Sequence, residues 1–252
     1  MSKITLGLKS PPIVEAVLDI ECDFAPGQSV VGLKEAATAK FSARYPKLHT
    51  LFAQQLTLEL GADKRIENDA QVPSVVAFQF LQDDEKQLIQ LREKGYAFNR
   101  LAPYSSLDDY LPEIRRTWDI YRDLATPILI RVVRLRYINR LDLPFASHKL
   151  DLDSYFTAGP RIPDEDRLAL WGFLNQHQLV EEETGHHITT VLAAGKAEGD
   201  KLPVIFDNTV AAEIDADPID WQTLEATIQS LRNLKNRVFA DTLTEKCLSL
   251  FQ

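Results

Sequence analysis

From Pro12 to Phe24 the chain alternates with a period of two. Val14, Ala16, Leu18, Ile20, Cys22 and Phe24 fall on one side, and Glu15, Asp19, Glu21 and Asp23 on the other. Side chains leave a strand on alternate faces, so this stretch reads as a strand with one buried and one wet face. Such a strand belongs in an antiparallel sheet, because the strands of a parallel sheet are covered on both faces. A second β-rich run, Ile128 to Leu143, extends the theme. Without a bulge it sets Val132, Arg134, Arg136, Ile138 and Arg140 on one face, and Arg131, Val133, Leu135, Tyr137, Asn139 and Leu141 on the other.

Between these runs the spacing predicts a helix over Val31 to Tyr45, stopped before Pro46, and three strands at Thr50 to Leu60, Ser74 to Gln82 and Gln87 to Leu101. Ser106 and Asp109 form a capping box ahead of Leu107, Tyr110, Leu111, Ile114, Trp118 and Tyr121, which recur at three and four and define a helix ending at Thr126-Pro127. The first half thus reads β-α-β-β-β-α-β. After the polar connector Pro144 to Pro163 the pattern restarts, with strands at Leu168 to Glu183, His187 to Ala197 and Leu202 to Ile214. Asp220 then caps a helix from Trp221 to Phe239, and Thr242 with Glu245 caps a short last one. The expectation is an α+β protein of two halves, residues 1–145 and 146–252, each a mainly antiparallel sheet covered on one face by helices.

Composition narrows the class. The chain has 252 residues and a net charge of -9, which argues against general affinity for nucleic acid or anionic membrane and leaves only a local basic patch for either. Cys22 and Cys247 lie far apart with no metal-type spacing, as expected of thiols in a reducing cytosol, and no run approaches the length of a membrane span. A cytoplasmic location is the expectation.

Four stretches carry a resemblance. They are Pro11-Pro-Ile-Val-Glu-Ala-Val, Leu88-Ile-Gln-Leu-Arg with Tyr96-Ala-Phe-Asn-Arg100 and Tyr104, Leu135-Arg-Tyr-Ile-Asn-Arg140, and the tail Asn236-Arg-Val-Phe-Ala-Asp-Thr-Leu-Thr-Glu-Lys246. Together, and in order, they resemble a sporadically distributed family of bacterial proteins with no assigned function. Ala240 stands where that pattern has an acid. The resemblance brings no catalytic residues with it; its patchy distribution implies a dispensable or mobile role, such as a defence or toxin–antitoxin component.

Several groups could carry chemistry. Arg134, Arg136 and Arg140 line one face of one strand, and arginine suits planar recognition of carboxylate or phosphate. If the acids of the first strand share that surface, the bland reading is cross-strand ion pairing and the functional one an anion or substrate groove. Alternating acids followed by arginine-bearing strands are loosely similar to the triphosphate tunnel enzymes. In that reading Glu15, Asp19 and Glu21 hold Mg2+ and the arginines hold phosphate, although the lysine expected after the acids is missing. Arg92, Lys94 and Arg100 interleave with Tyr96 and Phe98, a combination that stacks and neutralises single strands, yet the aromatics fit a buried strand face equally well. His177, His186 and His187 lack the spacing of a helical metal site. Arg232, Lys235, Arg237 and Lys246 read as complements to a helix C-terminus. No nucleophile elbow, P-loop or dinucleotide fingerprint is present.

The functional expectation is a binding or regulatory protein without a cofactor that acts through a protein partner. The alternative is a metal-dependent phosphohydrolase or nucleotide-binding enzyme of the tunnel type.

Overall fold

Strand β1 (Ile13–Asp23) buries Ala16, Leu18, Ile20 and Cys22 and leaves the acids between them on the other face, as the alternation requires. After it come helix α1 (Lys34–Phe41), strands β2 (Lys47–Ala53), β3 (Ser74–Leu81), β4 (Gln87–Arg92) and β5 (Gly95–Leu101), and helix α2 (Leu107–Ala125). The chain continues through β6 (Leu129–Pro144), β7 (Phe173–Val180), β8 (His187–Ala194), β9 (Lys201–Ala216) and helices α3 (Trp221–Thr242) and α4 (Glu245–Leu248). The computed structural model describes residues 8–53, 74–145, 151–160, 167–168 and 171–252. The expected strand beyond Ala53 and much of the expected connector lie outside them.

The nine strands among the described residues form one antiparallel sheet in the order β2-β3-β4-β5-β1-β6-β9-β8-β7. The two expected halves are therefore a single sheet. The seam is β1 against β6, with Asp19 opposite Arg134 and Val17 opposite Arg136, and β6 pairs along its other edge with β9. Each half still follows one course: a central strand, an antiparallel meander returning from the sheet edge to that strand, then a long helix. Because both helices land on the same face, one core runs across the seam. Leu18, Ile20, Tyr96 and Trp118 from the first half share it with Leu135, Val210, Ile228 and Leu231 from the second. A second cluster, with Phe156, Phe206, Phe239 and Cys247, continues it under the far ends of β6 and β9.

Local chemistry explains where the sequence reading needs adjustment. Gln87 to Leu101 is two strands, because the chain turns at Glu93-Lys94 into Gly95. A Cβ at Gly95 would sit 2.0 Å from the Ile20 carbonyl oxygen, so glycine lets β5 close against β1. The register slips between Ile130 and Val132, and this bulge turns Arg131 out to solvent instead of onto the core face. Ser106 caps α2 as expected, accepting from the Asp109 backbone N–H at 3.3 Å, and Pro112 is accommodated in the second turn. At the C-terminus Thr244, not Thr242, caps α4, and Thr242 ends α3. Among the described residues no helix is long and apolar enough to cross a membrane.

Candidate functional site

The face of the sheet away from the helices carries the ladders of acid and base. Arg134 spans both acids of β1 that point its way, with Nη1 and Nη2 each 2.9 Å from Glu21 Oε2 and Nη1 3.2 Å from Asp19 Oδ1. Arg92, from β4, also pairs with Asp19. Arg136 grips Asp207 of β9 through Nε and Nη2, at 2.9 and 2.6 Å. Arg140 binds Asp142 and Glu198 at 2.9 and 2.7 Å, and Arg131 joins Asp23 to Asp215 at 2.6 and 2.5 Å. Glu15 accepts from Asn99 Nδ2 at 2.7 Å, and Asn99 accepts from Gln90 at 3.0 Å.

This geometry does not fit the tunnel arrangement. Each arginine of β6 already faces a carboxylate, so it offers a phosphate no free fork. Glu15, Asp19 and Glu21 are spent on Asn99, Arg92 and Arg134, and among the described residues no group of three histidine, cysteine or acidic side chains is placed to share a metal ion. The sheet is also open, ending in β2 and β7 rather than closing into a barrel.

The nucleic-acid candidates separate as well. Tyr96 is fully buried on the helix face, its hydroxyl 2.6 Å from that of Thr117, and Phe98 is buried beside it, so neither can stack on a base. Arg100 shares their face and lies 5.4 Å over the Tyr110 ring, whereas Arg92 is on the opposite side of the sheet. Arg92 and Arg100 therefore cannot form one basic patch.

The helix face holds a different feature. A cavity of about 150 Å³ lies where the segment before β1, the start of α2, the middle of β6 and the last turns of α3 meet. Among its lining residues are Pro11, Pro12, Tyr104, Tyr137, Arg232 and Lys235. Lys235 is 8% exposed, and its Nζ sits 3.8 Å over the centre of the Tyr137 ring. Among the described residues no carboxylate pairs with it. Burial, and secondarily the charge of Arg232, bring its pKa down to about 7. Arg232 differs in that its Nη1 donates to Asp108 of α2 at 2.7 Å, an ion pair that ties the two long helices together. The Tyr104 and Tyr137 hydroxyls lie 2.9 Å apart, and burial raises the pKa of both. Both are neutral donors at physiological pH.

No family model matches the chain, and no curated protein matches it.

The sequence reading placed Lys235 with the basic residues of a helix end and missed the cavity. One signal was available. On α3 the buried positions Leu224, Ile228 and Leu231 step by four and three, and Lys235, four further on and beside buried Leu234, continues that stripe. A lysine in register with an apolar stripe is either a snorkelling side chain or a buried cation, and the burial here decides for the second.

Proposed function

We propose that this chain is a binding protein whose ligand site is the cavity around Lys235, acting without chemistry of its own. The observation that carries this reading is a buried lysine, with no carboxylate against it among the described residues, in a cavity lined by aromatic, apolar and uncharged polar side chains together with Arg232. Desolvating a cation costs several kcal/mol and is retained in a fold when something offsets it. Pockets of this kind, mostly apolar with a few convergent polar groups, are the usual form of a small-molecule site. The stretches that carry the family resemblance converge on it: Pro11, Pro12, Tyr104, Tyr137, Asn139, Asn236 and Phe239 all line the cavity. A binding role governing a partner also suits a dispensable or mobile family. The paired arginines of the open face support this reading over the phosphohydrolase one.

The test is ligand-observed NMR with a small-molecule library of mixed charge, run on the wild type and on Pro11→Trp, which fills the cavity. Compounds that bind the wild type and are lost in the variant support the reading. Binding that is unchanged by Pro11→Trp, or no binding at all, overturns it.

A protein partner is the second reading, favoured by edge strand β7. It has no charged residue or proline to blunt an edge that pairs with no further strand among the described residues, and Leu174, Leu179 and Val180 are exposed along it. The occupant that fits is an extended segment of the partner adding a further antiparallel strand. A partner captured by the wild type and lost with Leu179→Lys supports this, and capture unaffected by that change refutes it.

A further inference from the structure

Resting on that reading, we infer that the cavity takes a small organic acid, with its carboxylate on Lys235 Nζ and its apolar body against Pro11, Pro12, Ile13 and Phe239. Three observations lead there. First, the lining residues include Lys235 and Arg232 and no aspartate or glutamate, in a chain whose overall charge is -9. With Arg232 neutralised by Asp108, Lys235 is left without a compensating charge among the described residues, which calls for a single negative charge.

Second, the cavity has hydrogen-bond donors to offer an anion. The two hydroxyls of Tyr104 and Tyr137 share one hydrogen bond, so one of their two protons is left without a partner among the described residues. Asn139 spends its amide on the backbone oxygens of Tyr137 and Phe206, at 3.2 and 3.0 Å. A carboxylate is an acceptor only, and it meets an ammonium and a phenol here without leaving a donor of its own unsatisfied. A neutral amide of the same shape lacks the charge that pairs with the ammonium.

Third, the size suits a small body. A space of about 150 Å³ accommodates one of about the size of benzene. Inorganic phosphate would fill the polar end and leave the apolar walls uncovered.

The experiment compares benzoate, hexanoate, benzamide and inorganic phosphate by titration calorimetry against the full chain at pH 6.5, where Lys235 is charged. Benzoate is expected to bind at least about tenfold more tightly than benzamide, since that comparison isolates the charge. Lys235→Met is expected to lose this preference and Lys235→Arg to keep part of it. The comparison within the wild type needs no variant to fold. Benzamide binding as tightly as benzoate overturns the assignment of an anion and leaves the binding reading standing. Benzoate binding equally to wild type and Lys235→Met overturns the role of Lys235. Saturation by phosphate and by neither organic acid overturns the apolar half. The absence of binding by all four overturns the inference, and the Pro11→Trp screen then decides the broader reading independently.

Discussion

Replacing Lys235 by Met should stabilise this protein, and by an amount that depends on pH in a defined direction. Methionine matches the length of the lysine stem and removes the ammonium from a site that is 8% exposed. The drop in pKa from 10.5 to about 7 corresponds, at about 1.4 kcal/mol for each tenfold change in proton affinity, to about 5 kcal/mol. That is the penalty which the charged form imposes on the empty protein. Because that shift already includes the attraction of the ammonium to the Tyr137 ring, the variant is expected to gain up to about 5 kcal/mol at pH 6. The sign with pH follows from proton counting. The folded lysine loses its proton near pH 7 and the unfolded one near 10.4, so between these values the unfolded chain holds more protons. Wild-type stability therefore climbs relative to the variant from about pH 7 to about pH 10, and the advantage of methionine disappears over that window. Urea unfolding of both proteins in steps across pH 6 to 10 measures this, because the other titrating groups cancel in the difference. A difference that stays flat across the window, or a variant less stable at pH 6, would show that Lys235 is an ordinary solvated lysine.

Three further outcomes are expected. Gly95→Ala should cost at least about 2 kcal/mol in thermal or urea unfolding, since its Cβ would meet the Ile20 carbonyl oxygen at 2.0 Å and push β5 off β1; a loss under about half of that would contradict the close approach. A double-mutant cycle on Arg136 and Asp207 should return a coupling of no more than about 1 kcal/mol that falls with added salt, because Arg136 is half exposed; a larger, salt-insensitive coupling would mean the pair is sealed from water. Burial raises the pKa of Cys22 to about 12 and of Cys247 to about 11, so at pH 8 neither thiol should react with a disulfide reagent until the protein unfolds. Rapid labelling of the native protein would refute their placement in the core.

The parts of this fold legible in the sequence were those set by short-range period. The alternation in β1 and β6 placed Glu15, Asp19 and Glu21, and likewise Arg134, Arg136 and Arg140, on the wet face, because side-chain direction depends only on parity along a strand. The capping of α2 by Ser106 was equally local. Strand neighbours are not written in that way. Nothing within either half announces that β6 pairs with β1 on one edge and β9 on the other, and a polar connector reads the same whether it separates two sheets or crosses the back of one. Arg131 changed faces because a bulge costs one residue of register and leaves no mark in composition. The candidate site was the least visible, since its residues come from four separated segments and its central group, Lys235, resembles any other lysine on a long helix until the packing of α3 against β6 is known.

Lys235 is a buried cation that meets no counter-ion among the described residues until a ligand supplies one. Heteronuclear NMR of the Lys235 Nζ resonance, in protein carrying labelled lysine and assigned with Lys235→Arg, follows its titration directly. A midpoint near pH 7 in the free protein, moving upward when benzoate is added, is the predicted result, because an anion beside the ammonium favours the protonated form. A midpoint at the ordinary value of about 10.4, or one that benzoate does not move, would contradict it.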